Sequence, residues 1–291
     1  MRGVGFWQKA LLLTPAAVMC LMVMVVPVAI VSVMAFTDWQ FGASGLNWVG
    51  LGNFTALFQD DIFRLSVSNT LVYLLIVTVG SMVLGLSAAL LIESRPSMRG
   101  FYRTAYFLPV ASTMIAMAVV WQFLLHPTLG LVNLVLQQFG WQGRDWLNDT
   151  EVSLYVLALI GIWQMAGLVM VLFMAGLKAV PRDILHAAEL DGIPAGWERF
   201  WRIVWPLLGP TTLFVVTICT VRALQVFDTV HVLTGGGPNK STEVILHTIY
   251  AEGFGFFRMG YASAMTVLFV LAIFVLTKVQ NRVMEKRTHY A

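Results

Sequence analysis

The sequence predicts an all-α polytopic membrane protein: a single domain over residues 1–291, in which six helices cross the bilayer and both termini lie in the cytoplasm. Composition is the first reason, because 58% of the residues are hydrophobic and the mean hydropathy is +0.79. Only 11% are Asp, Glu, Lys or Arg, against about 25% in a soluble domain. A soluble chain of this size could not bury so much apolar surface, which excludes an ordinary soluble enzyme.

Six apolar segments are the second reason, since each can cross a bilayer core of about 30 Å with about 20 helical residues. The first segment follows Arg2 and Lys9. It is too long for the apolar region of a secretory signal and lacks a small-x-small cleavage site, so we expect an uncleaved anchor. The predicted spans are 10–36, 69–92, 105–125, 153–176, 206–227 and 262–279.

The distribution of positive charge is the third reason. The N-terminal tail, the second and fourth connections between spans and the C-terminal tail carry 13 of the 18 Lys and Arg residues. Positive charge is retained on the cytoplasmic side, so both termini and the connection at 177–205 are predicted to be cytoplasmic. The opposite side carries four such residues: Arg64, Arg144, Lys240 and Arg258.

The outward-facing connections lie at 37–68, 126–152 and 227–261. They contain aromatic residues, which are typical of short interfacial helices and of anchors at the membrane surface. Docking of an outer partner is the alternative interpretation.

No set of residues supports catalysis. The Gly-rich stretch 235–242 is the nearest to a phosphate-binding loop. However, Asn239 stands where a Walker A loop has the Gly before its Lys, and Pro238 removes a backbone amide. HExxH, paired CxxC and nucleophile-elbow patterns are missing from the sequence. Cys20 and Cys219 lie in apolar runs, where we expect buried free thiols. We therefore predict no catalytic residue, no metal site and no enzymatic activity.

The cytoplasmic connection at 177–205 has the pattern of two short helices. Pro181 can occupy the first turn of a helix that runs from Arg182 to Leu190. Gly192 can adopt positive φ and end this helix. Pro194 is then predicted to open a second helix, whose apolar stripe comprises Trp197, Phe200, Trp201 and Val204.

Two interpretations of this connection remain. An amphipathic loop lying on the membrane surface would have the same apolar stripe. Small residues at Ala187, Ala188 and Gly192 favour the second interpretation, in which the surface of a partner approaches the loop closely.

Polar residues inside spans are costly in lipid and are candidates for a solute path. Gln164 lies near the middle of the fourth span, where a hydrogen bond to a neighbouring helix is as plausible as contact with a solute. Arg222 could extend to the outer interface, pair with Asp228 or Asp38, or line a cavity. Gln225 and Asp228 lie on the same helical face as Arg222, which suggests one hydrophilic lining.

The cytoplasmic connection resembles the EAA loop of ABC-importer permeases, which reads Glu-Ala-Ala, three residues, Gly, nine residues, Ile, any residue, Leu-Pro. The matching residues run from Leu185 to Gly192 and continue at Ile203 and Pro206. This sequence has His186 in place of the Glu, Trp205 in place of the Leu, and ten residues between Gly192 and Ile203.

The resemblance extends over most of the chain, which is similar to sugar-importer permeases of the maltose and glycerol-3-phosphate type. Its most specific part is the stretch 225–228 followed by Leu-Thr-Gly-Gly-Gly-Pro at 233–238. Other matching positions are 49–54, Leu108, Pro109, Trp121, Gly130 and Asn133.

The resemblance implies the type I permease fold of ABC importers and a place in a bacterial or archaeal inner membrane. It also implies the partners: a second, unlike permease, two cytoplasmic ATPases that bind ATP and Mg, and an extracytoplasmic solute-binding protein. The chain itself would bind no cofactor, and it would contact membrane lipid but no nucleic acid. Residues 181–204 would seat in a groove of one ATPase. The expected contacts are His186, Ala187, Ala188, Glu189, Asp191, Gly192, Trp197 and Arg199.

The predicted function is therefore that of a permease subunit of an ATP-driven carbohydrate importer. Import of glycerol-3-phosphate or a glycerophosphodiester is the alternative. An ion-coupled secondary carrier would be expected to have paired discontinuous helices and acidic residues buried in its spans, and the spans of this sequence contain essentially no acidic residue. A structural membrane scaffold would not need the Gly192 hinge.

Overall fold

The computed structural model describes residues 6–94 and 99–285, so Arg2, Arg95, Lys286 and Arg287 of the charge count lie outside the described residues. Within these ranges the chain is helical and has no β-strand, and an isolated bridge pairs Thr37 with Trp48. Three stretches are π-helical: Leu21–Val25, Phe200–Val204 and Ala251–Gly255. The α-helices are α1 (Phe6–Cys20), α2 (Val26–Met34), α3 (Gly52–Gln59), α4 (Asp61–Ser94), α5 (Arg99–Ala111), α6 (Met114–Leu124), α7 (Leu131–Gln138), α8 (Ser153–Ala179), α9 (Arg182–Leu190), α10 (Trp197–Arg199), α11 (Trp205–Leu207), α12 (Gly209–Leu224), α13 (Asp228–Leu233), α14 (Ile245–Tyr250) and α15 (Met259–Glu285).

Five helical stretches among the described residues are long and apolar enough to cross a bilayer, and a bent pair of helices makes a sixth. The prediction of an all-α membrane fold with six spans is therefore confirmed when the bent pair counts as one span. These five stretches are Leu12–Met34, Asp61–Glu93, Ser153–Ala179, Gly209–Leu233 and Met259–Arg282.

The third span is not the continuous helix that the apolar pattern at 105–125 predicts. Helices α5 and α6 meet at an angle of 100° across Ser112 and Thr113. Pro109 lacks the N–H that an uninterrupted helix would use, and Thr113 is extended, with φ −69° and ψ 136°. Ser112 Oγ donates to the carbonyl of Leu108 over 3.1 Å, an alternative to the helical ladder.

The fifth span is interrupted near its outer end. Helix α12 ends at Leu224, Phe227 has φ −143° and ψ −59°, and α13 begins at Asp228. The predicted segment 206–227 therefore covers α12 and the irregular stretch after it, and a helical turn follows.

The chain divides into two compact units, whereas the sequence predicts one domain over 1–291. The first comprises Met1–Phe63 and Thr248–Ala272, and the second comprises Arg64–His247 and Ile273–Ala291. Within the first unit, the Tyr261 hydroxyl donates to Asp60 over 2.6 Å, and the N–H of Gly260 donates to the carbonyl of Trp39 over 2.9 Å.

Helix α8 is the most buried of the long helices in the second unit. Its glycines permit close packing: a Cβ on Gly167 would collide with the carbonyl of Tyr106 in α5, and one on Gly176 would meet Thr211 of α12. Small residues allow helix backbones to approach each other in a membrane, where no hydrophobic force drives their association. The close packing around α8 positions α4, α5 and α12 around the cavity described next.

Candidate functional site

A cavity of about 900 Å³ lies within the second unit, between α4, α8 and α12. The interruptions of the third and fifth spans both border this cavity. Ser112 and Met114 line it at the first interruption, and residues 225–229 line it at the second. Its volume is in the range of small-molecule sites, about 300–1,000 Å³. The cavity is therefore large enough to hold a polar solute of moderate size.

The four polar residues predicted for the solute path, Gln164, Arg222, Gln225 and Asp228, all line this cavity. None of their side chains makes a hydrogen bond or an ion pair with any residue in the described part of the chain. Arg222 and Asp228 share the lining without pairing, and Asp38 of the first unit accepts hydrogen bonds from Asn47. Of the three placements expected for Arg222, the structure therefore shows the one in which it lines a cavity, and the passage of a solute through this cavity stays a prediction.

Four further polar residues of the lining were not identified from the sequence: Tyr73, Ser112, Thr217 and Thr229. Pro109 followed by Ser112 and Thr113 within an apolar segment is the signal that could have located the first interruption. Thr217 and Thr229 have no such signal, because single threonines inside apolar helices are usually satisfied by their own backbone, as Thr217 Oγ1 is by the carbonyl of Leu213 over 2.9 Å.

The turn that connects α13 with α14, residues 234–244, is the outer turn of the sequence motif. It is closed by its own side chains: the hydroxyls of Thr234 and Thr242 lie 2.7 Å apart, and Thr242 Oγ1 donates to the carbonyl of Gly237 over 2.6 Å. It ends in a buried carboxylate, Glu243, which accepts from Lys240 Nζ at 2.9 Å and contacts His247 Nδ1 at 2.6 Å. Burial raises the pKa of Glu243, but the hydrogen bonds and charges of His247 and Lys240 outweigh it and leave that pKa below its ordinary value.

The first half of the cytoplasmic connection has the predicted helix. Helix α9 spans Arg182–Leu190. Pro181 is the residue before the helix, with φ −62° and ψ 129°, and so does not occupy its first turn. Gly192 has φ +80°, as predicted for the residue that ends the helix.

The second half differs from its prediction. The helix begins at Trp197 and not at Pro194, because Gly196 has φ +142° and breaks the chain direction. Phe200–Val204 then forms a π-helix, whose wider turn can absorb the additional residue between Gly192 and Ile203. The aromatic rings pack together, with Trp197 and Trp201 centroids 5.4 Å apart.

Most residues predicted to contact an ATPase lie on the surface, but two do not. Ala188 is 4% exposed and so contributes its small side chain to packing within the chain. Arg199 is half-buried, and its guanidinium donates to the carbonyl of Ile193 over 3.0 Å, which joins the two halves of the loop. The exposed members are His186, Ala187, Glu189, Asp191, Gly192 and Trp197.

Comparison with known proteins identifies the family. Residues 81–290 match the family of the binding-protein-dependent transport system inner membrane component. The sn-glycerol-3-phosphate transport system permease protein UgpA of Agrobacterium fabrum is 35% identical over 251 residues, 86% of this chain and 85% of that protein. The sulfoquinovosyl glycerol transport system permease protein SmoG of the same organism is 32% identical over 280 residues, 95% and 90% of the two chains.

The fold has a counterpart of known structure. A chain in the crystal structure of a bacterial alginate ABC transporter, in complex with an alginate pentasaccharide-bound periplasmic protein, superposes with a TM-score of 0.86. The match covers 97% of this chain and 96% of that chain at 23% identity. The helical arrangement is therefore that of an ABC-importer permease, and the chain belongs to the family of binding-protein-dependent transport system inner membrane components.

Proposed function

We propose that this chain is the membrane-spanning permease subunit of an ATP-driven carbohydrate importer and forms half of the translocation path. One observation carries the proposal: Gln164, Arg222, Gln225 and Asp228 meet at one cavity, and none of their side chains makes a hydrogen bond or an ion pair in the described chain. Polar side chains in a span are retained at a cost of up to about 3 kcal/mol for a charge. A solute, water or a partner subunit must therefore satisfy them.

The chemistry of the lining suits a polyol. The amides of Gln164 and Gln225 offer both donors and acceptors, and the carboxylate of Asp228 accepts hydrogen bonds from hydroxyls. The relatives named for sn-glycerol-3-phosphate and sulfoquinovosyl glycerol transport support this class of solute.

We further propose the partners of an ABC importer: a second, unlike permease, two ATPases that bind ATP and Mg, and an extracytoplasmic solute-binding protein. This chain itself would bind no cofactor. The α9–α11 connection carries apolar side chains that nothing in the described chain covers, since Leu190 is 90% exposed and Trp197 is 75% exposed. A groove in an ATPase would bury them. The periplasmic protein in the alginate transporter structure supports the outer partner, and a bacterial or archaeal inner membrane is the location expected.

The direct test is to purify the tagged chain from its native membrane in mild detergent and identify the proteins that accompany it by mass spectrometry. Recovery of a P-loop ATPase and a second permease is the expected result, with untagged membranes as the control. Recovery of the chain alone would contradict the importer proposal and favour an ion-coupled carrier or a structural scaffold.

A second candidate function, import of an anionic solute such as a phosphorylated polyol, is favoured by Arg222. Arg222 lines the cavity without an ion pair among the described residues, and Asp228 on the same lining does not neutralise it by contact. A guanidinium binds a phosphate or carboxylate through two parallel hydrogen bonds.

The charge of the cavity can be measured without knowing the solute. The reporter is a Cys in place of Val221, which lines the cavity. It would be introduced after the native Cys20 and Cys219 have been substituted. The rates of modification by anionic and cationic methanethiosulfonates are then compared. A fixed positive charge near the reporter should favour the anionic reagent, and Arg222→Gln should lower the anionic-to-cationic ratio about tenfold. Arg222→Lys is the control that retains the charge, and an equal ratio in all three chains would contradict the anionic candidate.

A further inference from the structure

A continuous line of side chains connects the cavity with the buried carboxylate of the outer turn. Phe227 is a residue of the cavity lining, and its ring stacks on the ring of His231, with centroids 5.1 Å apart and an interplanar angle of 13°. The ring of His231 lies 5.6 Å from that of His247, and His247 Nδ1 lies 2.6 Å from Glu243 Oε1. Four side chains thus span the distance from the cavity wall to the outer turn in direct contact.

Residues of the outer turn, 234–244, contact the carboxylate of Glu243. Gly236 has φ +84°, and a Cβ at this position would collide with Glu243 Oε2 and lie 3.1 Å from His247 Cε1. Lys240, with 46% of its side chain exposed, reaches inward to the same oxygen over 2.9 Å. A force on the turn is therefore applied directly to the Glu243 side chain.

The far side of Glu243 is held in place by the helices of the second unit. Asn69 of α4 donates to the carbonyl of Glu243 over 2.9 Å, and Thr70 Oγ1 accepts from the N–H of Ile245 over 3.0 Å. The hydroxyls of Ser153 in α8 and Ser241 lie 3.1 Å apart. The backbone of Glu243 is thus held by these hydrogen bonds, while its side chain lies against His247.

Burying a carboxylate in order to hold a turn has a large desolvation free energy. Glu243 is 0% exposed, and apolar residues of similar volume commonly replace buried ionic groups with no loss of stability. A buried charge that fixes one arrangement of its neighbours has a known use in proteins, which is conformational specificity. The packing thus indicates that the carboxylate serves to orient His247.

We propose that Glu243 is a positioning residue which, through His247 and His231, fixes the Phe227 wall of the cavity and transmits displacement of the outer turn to that wall. The proposal rests on the proposed function in one respect, because it takes the cavity to be the solute path. The partner that would displace the turn is a soluble protein docking on the outer face of the membrane.

The experiment measures access to the cavity and does not require the solute. Val221→Cys, in the background without native cysteines, reports the rate of modification by a membrane-impermeant thiol reagent in the assembled complex. If Phe227 limits access, Phe227→Ala should raise the rate about tenfold and Glu243→Ala about fivefold. Because Glu243 acts through Phe227, adding Glu243→Ala to Phe227→Ala should change the rate by less than about twofold, which is the signature of coupling in a double-mutant cycle.

Two controls separate positioning from general damage. Leu129 is 79% exposed on the predicted outer side, and a Cys at this position should be modified at the same rate in every variant. Glu151→Ala removes an acid whose side chain is 82% exposed and should leave the Val221→Cys rate unchanged. If Glu243→Ala fails to assemble, His247→Ala replaces it in the cycle, because His247 contacts Glu243 and lies against both His231 and Phe227, with ring centroids 5.6 Å and 6.3 Å away.

Independent, multiplicative effects of Glu243→Ala and Phe227→Ala would overturn the proposal. Equal changes at Leu129→Cys and Val221→Cys would also overturn it, because Glu243 would then act on the fold as a whole. Failure of the proposed function is detected separately: a chain purified without an ATPase contradicts the importer, while the cycle still reports on the link between Glu243 and Phe227.

Discussion

Substitution of Gly192 tests the role of the cytoplasmic connection with little ambiguity, because the structure isolates one physical effect. Gly192 has φ +80°, and a Cβ built at this position meets nothing within 4 Å. A larger side chain therefore meets no steric obstacle, and the cost of substitution comes from the left-handed backbone alone. That cost is about 1–2 kcal/mol for an ordinary L residue, and Asn accepts the conformation much more readily.

The expected magnitude follows from this cost. A penalty of about 1–2 kcal/mol lowers the population of the native loop relative to alternatives by about 5–30-fold. We expect Gly192→Val to lower solute uptake per ATP hydrolysed by a factor in this range, while the chain still inserts into the membrane. Gly192→Asn, which adds a side chain of similar size, should remain within about twofold of the unmodified protein.

The assay is uptake into proteoliposomes that contain the complete transporter, measured together with ATP hydrolysis on the same sample. Copurification of the ATPase with each variant reports whether the contact itself survives. Unchanged uptake in Gly192→Val would refute a coupling role for the connection. Equal loss in the Val and Asn variants would refute the argument from φ.

Three other substitutions give distinct outcomes. Gly167→Ala should lower the unfolding free energy by about 1–3 kcal/mol, because the added Cβ would collide with the carbonyl of Tyr106 in the facing helix α5. Thermal unfolding measures this loss. The control is Gly100→Ala, whose Cβ would lie in open space and should cause no loss of stability. Trp197→Ala should weaken ATPase binding in detergent about 30-fold, equivalent to about 2 kcal/mol. Trp141, which is similarly exposed but lies on the predicted outer side, is the control, and Trp141→Ala should not change the binding. Because its folded-state pKa is lowered, ionised Glu243 should contribute stability that is fully present above its ordinary pKa of 4.5 and is lost as pH falls from that value through the lowered pKa. The difference in Tm between the unmodified protein and Glu243→Gln should then shrink in acid, and a difference that stays constant from pH 7 to well below pH 4.5 would contradict the assignment.

Much of the fold is encoded in short-range patterns. Apolar stretches of sufficient length predict helices in a membrane wherever they occur, and each of the six predicted segments is mostly helical in the described structure. The same holds for α9, whose end at Gly192 depends on one residue that tolerates positive φ. The bend at Ser112 and Thr113 was missed because hydropathy does not distinguish a straight helix from a broken one.

The cavity depends on packing between distant segments. Gln164 and Gln225 are each recognisable as polar residues in apolar surroundings, but their meeting at one cavity results from the close approach of α8 and α12. Burial is likewise decided by neighbours, which explains why Ala188 and Arg199 face inward although their sequence pattern suggested contact with a partner.

The sequence by itself determined that this protein crosses the membrane, which segments do so and where the cytoplasmic connection turns, because hydropathy and backbone preference are properties of single residues and their near neighbours. Only the tertiary structure decided that four polar side chains share a cavity and that a buried Glu243 connects the outer turn to its wall. These contacts join residues that are far apart in the chain, and their formation depends on how closely the helices pack.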